Sequence, residues 1–532
     1  MSHRLRWTVV GLTLFTVAIG LWGLHRDLPY PEVDEPTFVR AAADIAATGD
    51  PNPHWFGHPG STVIYPLAVV FRASDVIAHG GSLLGSDASI TRRFRDSPGE
   101  FYLLGRLLVL AYSAGCVALL FAVGRRVFGT RVALVGTLLW VLTPLVAMYG
   151  DIVRTDLAAT FFGLVGLWCC LRVLDDPTRR NQILAGAAVG VAIATRYFMV
   201  ALIPALLVAI FIAMRRDSKQ RAFTVVRACA ASLLATFGTF ALTTPYFFLD
   251  FATAQQTLAD QSKPHLGNDG LSPLGNLAWY VSTALPNTLT IPIALLALAG
   301  IVLIVCRPSA PRALLLLFAL AFMVGICAAP LHWDRWALQI VPVLLLFAAY
   351  AGTYAFEVVR ARSRLRSKWV VAAGFAALAA LAVSPAAALV GQEPLLAKPG
   401  TRTLARNWIV RHVPRGTRIG IEIKTAPLDR TGLRVSSRYA LGRQGTVDSY
   451  EDHGYRYLVV NGHVRDVYLA ESRRYPLQAG FYRSLARDSR LVRVFRPGIH
   501  RAGSTILIYE FRRDSPPRSR PTAASAHRSS AP

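Results

Sequence analysis

Eleven runs of apolar residues, most of them long enough to cross a bilayer as a helix, leave this 532-residue sequence few folds to choose from. They read as residues 7–24, 101–123, 131–149, 156–173, 182–194, 198–214, 225–245, 288–306, 312–328, 337–356 and 369–390. A helix rises 1.5 Å per residue, so about 20 apolar residues match a hydrocarbon core of ~30 Å. Run 182–194 is short and Arg196 follows closely, so 182–214 reads as two helices with a break inside or at the edge of the membrane region. Hydrophobic residues make up 53% of the chain and charged ones 17%, against about 25% charged in an average soluble domain. The expected class is a mainly α polytopic membrane protein with about eleven crossings.

Charge gives that bundle a sidedness. With the N-terminus placed inside, the cytoplasmic loops are "GRRVFGTR", "LRVLDDPTRR", "RRDSKQRAFTVVR", "CRPSAPR" and "RARSRLRSK". Each is rich in arginine or lysine, as positive-inside orientation requires. The opposite loops are 25–100, 150–155, 195–197, 246–287 and 329–336, followed by everything after about 391. The net charge of +26 comes mostly from arginine, lysine occurring only at 219, 263, 368, 398 and 424. No nucleic-acid-binding motif accompanies it, and basic loops beside anionic lipid account for it. The six cysteines (116, 169, 170, 229, 306, 327) lie in or beside apolar runs and offer neither a disulfide framework nor zinc spacing. The first run ends in "LWGLHRD" without a small-x-small cleavage site, so it reads as a retained anchor.

The chain divides by composition into a transmembrane domain, 1–394, with its first outer loop at 25–100, and a small extracytoplasmic α/β domain, 395–514. "TRTLARNWIVRHVPRGTRIGIEI" has the pattern of an amphipathic helix, a turn and an alternating strand, and "YRYLVVNG" and "STILIYEF" add two strands. The Pro/Ser/Arg-rich residues 515–532 read as a disordered tail.

Ionisable residues at membrane depth are costly and mark function by default. Five groups fall on the outer face: Asp34/Glu35, His54/His58, Asp151/Arg154/Asp156, Arg196 and His332/Asp334/Arg335. Each has a plain explanation. Asp34 and Glu35 can cap the helix starting near Pro36, and Trp55 and Phe56 can sit at headgroup level. Asp151, Arg154 and Asp156 can be a local ion pair, Arg196 can snorkel, and 332–335 can be a polar turn. Their convergence on one face favours a shared site. A carboxylate there can serve as general base, while arginines and a histidine can neutralise a phosphate leaving group. A second acidic cluster can orient an acceptor or hold a divalent ion through oxygen ligands.

The chain resembles the C-type (GT-C fold) membrane glycosyltransferases, in particular bacterial relatives of protein O-mannosyltransferases and of the lipid A aminoarabinose transferase. "DEPTFVRAAADIAATGD" is similar to the Asp-Glu motif opening their first outer loop, and "WFGHPGSTVIYPL" stands at their Lys-Pro-Pro-Leu element. The stretch from "LLGRLLVLAY" to "DLAATFFGLVGLW", then "LAGAAVGVAIATRYFMV" and "HWDRWALQIVPVLLLFAAY", follow in the same order. "ARNWIVRHVPRGTRIGIE" resembles their C-terminal soluble domain.

The resemblance implies a sugar donor carried on polyprenyl phosphate, a lipid-bilayer setting in the bacterial cytoplasmic membrane and an extracytoplasmic envelope acceptor of unassigned kind. It implies Asp34 as catalytic base accompanied by Glu35. His58, Arg196, Arg335 and His332 become donor-phosphate ligands. Asp156, with Arg154 and Asp151 as looser counterparts, becomes the acceptor-side acidic cluster. It fixes no cofactor; a divalent metal ion is the one candidate, with Asp156 as its candidate ligand. His58 and "HPGS" depart from the relatives' lysine and "KPPL", which puts donor geometry and acceptor pocket in question. The competing classes are a flippase or transporter of lipid-linked saccharides and a non-catalytic envelope assembly protein.

Overall fold

The computed structural model describes all residues except 1–2, 32–33, 81–85, 217–220, 264–266, 363–366, 499–500 and 512–532. The tail expected from residue 515 therefore lies outside the described residues. The chain divides into two compact units after Lys398.

The first unit is a multi-pass helical bundle. After α1 (His3–Gly23), the next region folds as α2 (Glu35–Thr48), α3 (Ser61–His79) and α4 (Ala88–Asp96). The bundle continues with α5 (Pro98–Phe128), α6 (Thr130–Val141), α7 (Pro144–Tyr149), α8 (Thr155–Asp175), α9 (Arg179–Thr195), α10 (Leu202–Arg215) and α11 (Ala222–Thr243). Short helices α12 (Tyr246–Leu249), α13 (Phe251–Gln261), α14 (Pro273–Trp279) and α15 (Leu285–Leu289) lead to α16 (Ile291–Cys306), α17 (Ala310–Ala328), α18 (Val341–Arg362) and α19 (Ser367–Ala397). Among the described residues nine helices are long and apolar enough to cross a membrane, or ten if one bent pair is a single span.

Eight of the eleven apolar runs coincide with such helices, and the other three differ for local reasons. Run 131–149 is cut in two because Thr143, preceding Pro144, takes an extended backbone, as residues before proline tend to. Run 182–194 lies within α9, which has 17 residues. Run 288–306 is the second arm of a pair bent by 117°, with Thr290 at φ 72° in the bend. Conversely α3, assigned to the outer loop by sequence, has the length and apolarity of a span. Its two interior charges are met by neighbours: Arg72 reaches Ala46 O at 3.3 Å, and Asp75 accepts from Arg93 at 2.7 Å and Ser89 at 3.1 Å.

Helices α9 and α11 approach closely. A Cβ on Gly186 or Gly190 would stand 2.3 or 2.4 Å from the carbonyl oxygens of Ser232 and Thr236. Small residues four apart let two backbones approach without hydrophobic driving force. Thr236 Oγ1 closes the contact on Gly186 O at 2.9 Å. Gly190→Ala should therefore lower stability by about 1–3 kcal/mol, read as an earlier thermal unfolding in detergent; unchanged melting would contradict this packing.

The second unit starts with α20 (Thr401–His412) and contains β1 (Arg418–Glu422), β2 (Arg434–Arg438), α21 (Val447–Asp452), β3 (Tyr457–Asn461), α22 (Gly462–Ala470), α23 (Pro476–Asp488), β4 (Ser489–Phe495) and β5 (Ile506–Phe511). The sheet order is β2-β1-β3-β5-β4, parallel across β2, β1 and β3 and antiparallel at β5 and β4. The three strands expected from sequence are β1, β3 and β5.

Glu422 ends β1 fully buried. Tyr482 Oη donates to it at 2.5 Å, Asn461 N at 2.8 Å and Leu441 N at 3.0 Å. Burial outweighs these donors and pushes its carboxyl up from 4.5 to about 7. A folded-state value above the unfolded one favours the native state at low pH, and the benefit fades as pH rises through the folded value. This unit should thus lose about 3 kcal/mol between pH 4.5 and 7.5 from this group alone. Hydrogen exchange of the β1 and β3 amides in the intact chain reads it, and Glu422→Gln should flatten the dependence.

Candidate active site

Three breaks in the bundle build the site: the entry to α2, the bend between α7 and α8, and the α9–α10 junction. Asp34 stands at the N-cap position of α2, yet its side chain makes no capping bond. It pairs instead with Arg154 Nη1, and 40% of the side chain remains exposed. Arg154 Nε donates to Asp156 Oδ2 at 3.0 Å, in the first turn of α8. The second oxygen, Asp156 Oδ1, takes Arg196 Nη1. The result is a continuous chain, Asp34–Arg154–Asp156–Arg196, from a half-open carboxylate to a guanidinium 1% exposed.

Arg196 lies where α9 gives way to a 3-10 turn, its backbone extended at φ −156°. The break anticipated between the two apolar runs is therefore what points this side chain inward. The Nε and Nη2 atoms of Arg196 are buried with no hydrogen-bond partner among the described residues. Arg335, in the turn before α18, lies over the Trp333 ring at 4.2 Å and also has a buried, unpartnered Nε. Burial, then Arg154, pushes its guanidinium down from the usual value. Burial also opposes the charge of Arg154, but Asp156 and Asp34 outweigh it and hold that group firmly protonated. Donors left over at a charged, dehydrated site are costly unless a ligand takes them, so the surplus is suited to an anion.

His58 faces this cluster from the loop before α3. Thr62 and Thr195 share a hydroxyl bond at 2.9 Å, and Tyr197 Oη donates to Phe56 O at 2.8 Å, tying that loop to the Arg196 break. Loss of water around the imidazole, then the charges of Arg196 and Arg154, push it down to about 3. His58 is thus a neutral hydrogen-bonding group at ordinary pH and contributes no charge.

Other expected members lie elsewhere. Glu35 is wholly buried and turned away from Asp34, since successive helical residues project about 100° apart. Arg106 grips both its oxygens, Nε to Oε1 at 2.9 Å and Nη2 to Oε2 at 2.8 Å, and Val153 N donates to Oε1 at 3.1 Å. Arg106 Nη1 also reaches Leu24 O and Arg26 O, each at 2.8 Å. Glu35 and Arg106 therefore clamp the residues flanking Asp34 and Arg154. Asp151 belongs with this clamp, its Oδ1 being 3.8 Å from Arg26 Nη2, and burial pushes its carboxyl up. His332 lies against Trp279, ring centres 4.5 Å apart at 53°; its N–H donates to Asn268 O at 3.0 Å and its carbonyl accepts from Asn268 Nδ2 at 2.9 Å. His54 lies 3.4 Å from Asp50 and 3.7 Å from Asp250.

Sequence reasoning passed over Arg106, Tyr149, whose ring lies 5.7 Å from the Arg154 guanidinium, and Gln339, which donates to Asp156 O at 3.3 Å. An arginine inside an apolar run was a usable signal for the first. Asp156 is a poor metal ligand here, because arginines occupy both its oxygens. Among the described residues no group of three or more His, Cys, Asp or Glu could hold a metal ion.

Residues 103–242 match the family model of dolichyl-phosphate-mannose-protein mannosyltransferases, a span that includes Arg106, Arg154, Asp156 and Arg196. No curated protein matches the chain in sequence. Among solved structures, ArnT from Cupriavidus metallidurans in the apo state superposes with a TM-score of 0.55 at 15% identity, covering 96% of this chain and 98% of that one. The chain has the GT-C fold. ArnT bound to undecaprenyl phosphate gives a TM-score of 0.53 at 14% identity, with the same coverage. The apo oligosaccharyltransferase of Archaeoglobus fulgidus gives 0.53 at 13% identity over 90% of this chain and 72% of its own.

Proposed function

We propose that this protein transfers a sugar from a polyprenyl-phosphate carrier to an acceptor on the outer side of the bacterial cytoplasmic membrane. The observation that carries the reading is the Asp34–Arg154–Asp156–Arg196 chain, which joins an accessible carboxylate to buried, unpartnered guanidinium donors. ArnT bound to undecaprenyl phosphate and the Archaeoglobus oligosaccharyltransferase in complex with a dolichol-phosphate have the same fold, which supports a lipid-phosphate donor. The positive-inside pattern of the loops supports a cytoplasmic N-terminus and a site on the outer side.

The reaction is a single displacement. Asp34 takes the proton of an acceptor hydroxyl or amine as that atom bonds to the anomeric carbon. The bond from the anomeric carbon to the phosphate oxygen breaks, and its electron pair leaves on polyprenyl phosphate. Arg196 and Arg335 face the charge that develops there, where fixed donors are most effective, and His58 offers a neutral hydrogen bond. Attack opposite the leaving group inverts the anomeric centre. Arg154 pairs with Asp34, and Glu35 with Arg106 acts as a positioning pair.

The test supplies labelled polyprenyl-phosphate sugar to reconstituted vesicles. Formation of a new glycoside of inverted anomeric configuration is expected; movement of label across the bilayer without a new glycoside would instead identify a flippase. A second expectation concerns pH. Because His58 stays neutral down to about 3, the transfer rate should show no inflection near 6.5 assignable to it. His58→Asn should then change the rate without changing the shape of the pH profile, and loss of an inflection in that variant would contradict the neutral assignment.

A further inference from the structure

A second arginine pair, at the opposite end of the bundle, is built quite differently from the first. α17 has 19 residues and rises roughly 28 Å, so its first turn lies about a hydrocarbon thickness from the segment carrying Arg335. There Arg307, just after α16, and Arg312, in the first turn of α17, each lie over a tyrosine of α18. The Arg307 guanidinium carbon is 4.5 Å from the centre of the Tyr354 ring, and its Nη2 donates to Tyr354 Oη at 2.9 Å. The Arg312 guanidinium is 4.8 Å from the Tyr350 ring and 5.8 Å from Phe128. Its Nη1 donates to Arg307 O at 3.2 Å, and its buried Nε has no partner among the described residues.

Two other arginines at this end are neutralised, Arg126 by Asp175 and Arg131 by Glu357. No ion pair among the described residues involves Arg307 or Arg312. Two unneutralised guanidiniums fixed on aromatic faces have lost most of the freedom that ligand binding would otherwise have to remove. Beside them α16 exposes Leu298, Val302 and Val305, spaced four and three residues apart on one helix face.

We propose that Arg307 and Arg312 bind the phosphodiester headgroup of an anionic glycerophospholipid, whose acyl chains lie along the Leu298–Val302–Val305 face of α16. The guanidiniums lying over Tyr350 and Tyr354 offer their remaining N–H donors to the phosphate oxygens, which planar forks suit better than ammonium groups do. The apolar stripe favours a lipid over a free anion. The loop "CRPSAPR" lies on the side that its charge assigns to the cytoplasm, where anionic lipids attract basic residues. The site is independent of the sugar-transfer reading.

The test uses the full-length protein in nanodiscs of phosphatidylcholine with or without phosphatidylglycerol, reading tightly retained lipid by native mass spectrometry and stability by thermal unfolding. Wild type should retain phosphatidylglycerol and melt later in its presence. The double change R307Q/R312Q should weaken retention roughly tenfold or more. R307K/R312K, with the same charge but no planar fork, should weaken it several-fold, and this variant decides the matter if the glutamine pair fails to fold. Wild-type retention in either variant would overturn the proposal, the lysine case pointing to diffuse surface charge. Inorganic phosphate alone producing the same stabilisation would also overturn it, by assigning a free-anion site.

Discussion

Arg106→Met should destabilise the first unit by about 3–5 kcal/mol, the cost of leaving a buried carboxylate without its partner. Arg106 is 1% exposed and Glu35 is not exposed at all, so water cannot take over the lost bonds. The side chain also ties Leu24 and Arg26 to the start of α2, so the approach to Asp34 should loosen with it. A double replacement, Glu35→Leu with Arg106→Met, removes both charges and should recover much of the stability, because apolar substitutes for a buried pair are often neutral. Sugar transfer should not recover in proportion, since the clamp that sets Asp34 against Arg154 is gone. Thermal unfolding of the two variants alongside their transfer rates separates the two roles.

Asp34→Asn should lower turnover by about 10²–10⁴-fold, the usual contribution of a positioned general base, while leaving folding nearly untouched. The side chain is partly exposed, and Arg154 keeps its second carboxylate, Asp156, at 3.0 Å. Loss of one partner therefore leaves no buried charge stranded. Asparagine preserves shape and a hydrogen bond to Arg154 but cannot take a proton at neutral pH. A large fall in rate with an unshifted melting curve is the expected combination.

Much of this architecture was legible in the sequence because the bilayer permits so few ways of satisfying a backbone. Apolar runs located most of the crossings, and the interruption at Arg196 foretold the break that aims that residue inward. The expected site members that the structure separates had been grouped because they are adjacent in sequence. Asp34 and Glu35 separate because a helix rotates them apart, and His332 lies against Trp279 while Arg335 lies over Trp333. Asp151 joins the Arg106 clamp although Arg154, three residues later, belongs to the site. Arg106 escaped notice inside the run 101–123, where its partner lies 71 residues away and no local pattern announces it. The strands β2 and β4 escaped because they are the edges of the sheet, largely exposed, so little burial imprints on their composition.

The most direct test loads the labelled polyprenyl-phosphate sugar onto the protein and follows a single turnover in wild type, Asp34→Asn and Arg196→Gln. If Asp34 is the base facing a guanidinium cradle for the phosphate, Asp34→Asn should bind donor as wild type does and transfer almost none of it. Arg196→Gln should fail chiefly at donor binding. Near-normal transfer from the donor-loaded Asp34→Asn protein would contradict the account.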